Sequence, residues 1–305
     1  MSNVNTETLV GVTGAHSTDV LGNVVWFSVA KGLVTPADLE KKLVDSGVGK
    51  HWMPNPIRVV DAFRRATKFK KKVLSDTANQ YINYMVREVY ADKEVAIRHL
   101  VAETVDQTGK RLNYNSEAGR IVLNKKEGIL TVEHEDGNKD AQFYVESMAK
   151  DFEIFKLHYD AQSVRVMVSD ILKSMAPVAL RSYGGIYFIP RNFEDDVRNF
   201  VKLCDSLSEG SNAWKLPVVD TFEQRQMVTY TLLSHIKEIH TNCQSSLGKG
   251  LRKSLIREMI TTIEEVTNNF KSYRNLIVAE DVAKMEKELN AIYQLIPQLM
   301  MEIVD

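Results

Sequence analysis

The strongest chemical character in the chain lies between positions 58 and 72. Arg58, Arg64, Arg65, Lys68, Lys70, Lys71 and Lys72 stand against one carboxylate, Asp61, giving +6 over fifteen residues in a chain whose total is only -1. Clustered cations bind phosphate backbones, and each phosphate they neutralise releases condensed counterions, so such a patch binds polyanions with a steep salt dependence. Phe63 and Phe69 are interleaved with the cations, and aromatic rings beside basic side chains can stack unpaired bases. The segment therefore predicts a nucleic-acid site, for RNA or a single strand, with all seven cations on phosphates. The plainer alternative is a helix that buries its phenylalanines and turns its cations to water.

No catalytic constellation is legible elsewhere. Gly11-Val12-Thr13-Gly14-Ala15-His16 lacks the third glycine, the preceding strand and the following helix of a dinucleotide fingerprint. Ser246-Leu247-Gly248-Lys249-Gly250 lacks the upstream glycine and the following Ser or Thr of a phosphate loop. His235 and His240 are five residues apart, which turns them about 140° from each other on a helix and prevents a shared metal. Glu133-His134-Glu135-Asp136 leads into Gly137 and reads as a solvated turn. Glu194-Asp195-Asp196 opens a helix, where the macrodipole favours carboxylates. The expectation is a protein with no catalytic residue, no metal site and no cofactor.

The two cysteines, Cys204 and Cys243, sit in helical apolar patterns, so a disulfide framework is excluded. No apolar run approaches the length of a membrane span, and Met1 to Glu7 lacks the pattern of a signal peptide. A cytoplasmic protein without a membrane partner is expected, in the host cytoplasm if the chain is phage-encoded. A hydrophobic fraction of 44% and a charged fraction of 26% are ordinary for a globular chain.

The elements that must position these residues form an α+β pattern. Val24 to Val29 reads as a buried strand. Thr35 caps a helix that begins at Pro36 and ends near Gly47, and Val59 to Phe69 is a second helix with Asp61 as its cap. From Tyr81 to Glu133 the texture alternates, with turn residues at Ala91-Asp92-Lys93, Gln107-Thr108-Gly109 and Lys125-Lys126-Glu127-Gly128. This predicts an antiparallel meander. Phe143 to Met175 reads as helix broken around Tyr159-Asp160. Val178 to Leu180 and Ile186 to Ile189 flank Ser182-Tyr183-Gly184-Gly185 as a hairpin, Phe193 to Leu207 is a helix, and Pro217 puts the strand Trp214 to Val219 at a sheet edge.

Asp220 is expected to cap a long helical tract. Its apolar stripe from Ile236 to Ile277 takes 11 steps over 41 residues, a spacing that disfavours a left-handed coiled-coil seam. Gly248 and Gly250 should kink this tract, and a last helix from Asp281 to Ile303, kinked at Pro297, folds back as a hairpin. The domain division expected is an α+β core over 1–220 and a helical hairpin over 221–305.

Val59-Val60-Asp61-Ala62-Phe63 is echoed by Val218-Val219-Asp220-Thr221-Phe222, and Trp26-Phe27 by Tyr187-Phe188. Either the likeness is coincidence or the chain holds two copies of a strand, helix, extended segment, helix unit, over 22–80 and 184–240. Val59 to Thr67 and Leu180 to Pro190 also resemble an uncharacterised family of prokaryotic and bacteriophage proteins with a D-A-F-R-R-A-T helix and an R-x-x-G-G-x-Y-F-x-P hairpin. The likeness extends over most of the chain, including Arg98 to Glu103 and the C-terminal helices. It implies common ancestry and a phage or mobile-element setting, and brings no activity, cofactor or catalytic residue with it.

Three functions follow, in order of support. The first is a non-catalytic, phage-encoded nucleic-acid-binding protein using the seven cations. The second is a protein-interaction or assembly factor, such as a phage inhibitor of a host system or a shell-associated component, acting through the C-terminal helices. There the basic cluster Lys249, Arg252, Lys253 and Arg257 and the net charge of -4 over Ala279 to Asp305 would suit head-to-tail contacts in a homo-oligomer. The third is a degenerate enzyme with a pocket lined by Arg181, Tyr183 and Tyr187.

Overall fold

The computed structural model describes residues 20–181 and 184–304. The described chain is α+β. It opens with strands β1 (Val20–Ser28) and β2 (Leu33–Val34) and helices α1 (Pro36–Asp45) and α2 (Val59–Ala66). Five strands follow: β3 (Lys70–Leu74), β4 (Gln80–Ala91), β5 (Val95–Asp106), β6 (Arg111–Asn124) and β7 (Ile129–His134). Then come α3 (Lys139–Leu157), β8 (Tyr159–Asp160), α4 (Ala161–Lys173), β9 (Val178–Ala179), β10 (Tyr187–Pro190), α5 (Glu194–Leu207) and β11 (Asn212–Val219). The chain ends in α6 (Phe222–Ser246), α7 (Lys253–Tyr273), α8 (Ala279–Tyr293) and α9 (Ile296–Val304).

The chain divides into two compact units. One holds Lys31–Glu40 and Met53–Val164, the other the described residues of Met1–Ala30, Lys41–Trp52 and Arg165–Asp305. In the first, the expected meander is a five-stranded antiparallel sheet in the order β3-β4-β5-β6-β7. Successive side chains in a strand point to opposite faces, so Ile82, Tyr84 and Val86 turn to one side and Tyr81, Asn83 and Met85 to the other. Helices α2 and α3 cover the first side. Phe63, Tyr84, Leu100, Ile121, Leu123, Met148 and Phe152 form its core. Gly119 lets α3 come close, because a Cβ there would lie 2.7 Å from a Val145 methyl. Asn138 caps α3 by accepting from the Ala141 N–H, and the Tyr84 hydroxyl donates to the same side chain.

The second unit is built on a four-stranded antiparallel sheet in the order β11-β1-β10-β9. One face packs on α5, where the Phe27 and Phe200 rings meet edge to face at 5.5 Å. The buried Asn23 donates to Glu194 at the start of α5, and Lys215 of β11 pairs with the same carboxylate. Strands β1 and β10 press together at Gly22, where a Cβ would lie 2.1 Å from the Ile189 carbonyl oxygen. Leu21, Phe188 and Val218 join Leu232, Ile236, Ile263, Phe270, Met285 and Ile292 of the C-terminal helices in a second core. Tyr273 is fully buried in it and donates its hydroxyl to the Ala176 and Phe188 carbonyls.

The tract from Ile236 to Ile277 is two helices rather than one kinked helix, because Gly248 and Gly250 take φ values of 73° and 59° and break the backbone. Thr221, not Asp220, caps α6 by accepting from the Gln224 N–H, while Asp220 holds Arg225 through two hydrogen bonds. The last stretch also breaks, between α8 and α9, and Pro297 falls in the first turn of α9, where its missing N–H has no helical acceptor to satisfy. Helix α2 ends at Ala66, without Asp61 as its cap. Pro217 does lie in an edge strand, as expected. The glycine-containing lead with Gly11 and Gly14 lies outside the described residues.

Candidate nucleic-acid interface

Helix α2 explains where the first cations go. Its apolar residues Ala62, Phe63 and Ala66 are buried against the sheet and α3, which fixes the opposite edge of the helix outward. Arg58 and Arg64 share Asp61, at 2.6 and 3.6 Å. Arg65 turns inward. Its guanidinium donates to the Phe155 and His158 carbonyls at 2.8 and 3.3 Å, lies over the Phe155 ring and pairs with Asp160. Burial disfavours the Asp160 carboxylate, but hydrogen bonds from Ser163 and the charge of Arg65 outweigh it and hold its pKa below the usual carboxylate range.

Just past the helix, Arg98 of β5 donates to the Thr67 hydroxyl at 2.6 Å and lies over the Phe63 ring. The D-A-F-R-R-A-T segment is thus a buckle that fastens α2 to the sheet and to the end of α3. The expectation that Phe63 and Phe69 stack bases is overturned. Phe63 is 1% exposed in the core, and Phe69 packs against Tyr144 with ring centroids 4.7 Å apart.

The remaining cations leave the helix altogether. Lys68 lies in the turn after α2, and Lys70, Lys71 and Lys72 lie in β3, an edge strand of the meander. All four are exposed, and among the described residues none has a carboxylate within ion-pair distance. Lys70 and Lys72 stand opposite Met85 and Asn83, on the sheet face away from α2 and α3, while Lys71 and the half-buried Val73 take the helix side. The structure therefore leaves four of the seven expected residues exposed, Lys70 and Lys72 on one face of β3, Lys71 on the other and Lys68 just before the strand, and commits Arg65 to the fold, with Arg58 and Arg64 tied to Asp61.

That sheet face carries groups the sequence reading did not single out. The register places Lys72, Asn83, Glu103 and Tyr114 in one cross-strand row, and Leu74, Tyr81, Val105 and Arg111 in the next. The Lys72 ammonium lies 4.1 Å from the Tyr81 ring centroid, and the Arg111 guanidinium lies 5.2 Å from that of Tyr114. Arg111 also holds Glu103 at 2.7 Å. Leu74 and Tyr114 are 77% and 47% exposed, and Tyr81 is half-buried. The face thus offers cations, two phenol rings and apolar surface together.

Arg181 and Tyr187 belong to the hairpin of β9 and β10. Gly184 and Gly185 take φ values of 70° and 86°, as a tight turn requires. Arg181 is exposed and Tyr187 half-buried, whereas Tyr183 lies outside the described residues. A separate cavity of about 120 Å³ in the same unit is lined by Lys173, His235, Glu265, Asn269 and Tyr273 among others. Burial lowers the His235 pKa, with the nearby Glu238 charge opposing it. Among the described residues no group of three His, Cys, Asp or Glu side chains could hold a metal ion, and no helix is long and apolar enough to cross a membrane.

Fold and surface together define a class: an α+β protein in which a lysine-bearing edge strand borders a sheet face that carries Tyr81 and Tyr114, with Val101 and Val105 buried between them on the central strand. The chain belongs to the Family of unknown function (DUF6744), which it matches over residues 20–305. No curated protein and no solved structure matches it.

Proposed function

We propose that this is a non-catalytic nucleic-acid-binding protein, phage-encoded as its two motifs suggest, which holds phosphates on Lys68, Lys70, Lys71 and Lys72. The observation that carries the reading is the contrast within one basic segment. Arg58, Arg64 and Arg65 have carboxylate or carbonyl partners, while the four lysines are exposed with no ion-pair partner among the described residues. Three exposed lysines along an edge strand, with Lys68 just before it, are suited to track a phosphate backbone by displacing counterions.

Lysines on an edge strand also guard against pairing with another chain's edge, so the test must separate the two roles. Binding of the full chain to labelled single-stranded RNA, single-stranded DNA and duplex DNA is measured across a salt series, beside the variant with Lys68, Lys70, Lys71 and Lys72 all changed to Ala. The expected result is binding that weakens steeply with salt, with the log-log slope on single strands reduced by about 3 in the variant, since each phosphate contact contributes roughly 0.7. Equal binding by both proteins would sink the assignment. No binding even at low salt, with the variant instead aggregating, would make the lysines edge guards and move the function to protein partners.

A further inference from the structure

We infer that the ligand is a single strand whose splayed bases stack on Tyr81 and Tyr114, a refinement that rests on the nucleic-acid reading above. The two tyrosines occupy the outer strands of a three-strand strip, β4 and β6, with β5 between them. They belong to neighbouring cross-strand rows of the face that carries Lys70 and Lys72. From strand spacing and rise, their backbones stand about 12 Å apart. Stacked bases along one strand of a duplex repeat at about 3.4 Å, so two rings at this separation engage bases that have come out of a stack. A duplex buries its base faces and offers only its phosphates to the lysines.

Each ring is already matched to a cation in a way that suits the purpose. Lys72 lies over Tyr81 and Arg111 over Tyr114, so a base that stacks on either ring displaces the cation from that face, and Lys72, which has no ion-pair partner among the described residues, is left beside Tyr81 for the adjoining phosphate. Arg111 neutralises Glu103, the carboxylate in the row between Asn83 and Tyr114, and so lowers the repulsion an incoming phosphate would meet. Asn83, between Lys72 and Glu103 in that row, supplies amide groups that hydrogen-bond base edges. Leu74, opposite Tyr81 and 77% exposed, adds apolar surface next to the first ring.

The test compares Tyr81→Ala, Tyr114→Ala, Tyr81→Phe and Tyr114→Phe in the full chain, using a uridine-rich 12-mer RNA, the same sequence as DNA, and a duplex. Each alanine variant is expected to bind single strands about five-fold to a hundred-fold more weakly while its duplex binding and salt slope stay unchanged, and each phenylalanine variant, which keeps the ring, is expected to bind as the parent does. Should an alanine variant fail to fold, photocrosslinking of the parent protein to a 4-thiouridine-labelled strand gives a second readout, with adducts expected at Tyr81 and Tyr114. Undiminished single-strand binding by the alanine variants, or crosslinks confined to other segments, overturns stacking; if the four-lysine variant still loses affinity, the phosphate reading survives alone. Absence of binding by the parent overturns both.

Discussion

Arg65 and Lys68 lie three positions apart in one basic run, yet they answer to different physics. Arg65 is 21% exposed in its side chain and satisfies two backbone carbonyls at the end of α3; hydrogen bonds from a charged donor are worth about 1.5–3 kcal/mol, and removing them strands the acceptors. Lys68 is exposed and makes no ion pair among the described residues. Arg65→Ala should therefore lower unfolding stability by about 2 kcal/mol while the folded fraction binds nucleic acid normally. Lys68→Ala should leave stability within about 0.5 kcal/mol and weaken binding. Urea titration of both variants, paired with a binding curve for each, checks the contrast, and a stability loss at Lys68 matching that at Arg65 would contradict it. Cys204 gives the same lesson in reverse. Its thiol could react, but burial, with Asp205 nearby, pushes its pKa up to about 12, so it is a packing residue.

At the scale of elements, Gly119 decides how closely α3 sits on the meander. An added methyl would fall 2.7 Å from a Val145 methyl and 3.3 Å from the Glu133 carbonyl oxygen, and overpacking of this kind costs about 1–3 kcal/mol. Gly119→Ala should show that loss in thermal unfolding, and Val145→Ala in the same chain should recover part of it. The meander itself was legible because β4 to β7 alternate and are separated by turn residues, and the α3 to α4 break was legible at Tyr159-Asp160. Strand β3 was not, because Lys70, Lys71 and Lys72 supply no apolar alternation; as an edge strand it needs only Phe69 and Val73 near the core. The break between α6 and α7 was hidden for the opposite reason. Leu247 and Leu251 continue the apolar stripe and pack on the same core although the helix has ended. Tyr81 and Tyr114 were out of reach because a one-residue change of register reverses every side chain, and the bulges in β5 and β6 make that register unreadable from spacing.

For the whole molecule, the net charge of -1 means that no global field draws a polyanion in. Recognition must be local, and the architecture supplies a way to see it. Among the described residues, the core around Phe63, Leu100 and Phe152 and the core around Phe188, Tyr273 and Met285 have no buried residue in common. A ligand that binds only the native state stabilises what it touches, by about 2.7 kcal/mol at a hundred times its Kd. Amide exchange reports such gains segment by segment, because proteins open in local cooperative units. Saturation with a single strand should therefore slow exchange across β3 to β6 and in the amides of α2 and α3 that share their core, and leave α6 to α9 at their ligand-free rates. Protection centred instead on α6 to α9 would place the working surface on the C-terminal helices, where a protein partner rather than a nucleic acid would be the natural occupant.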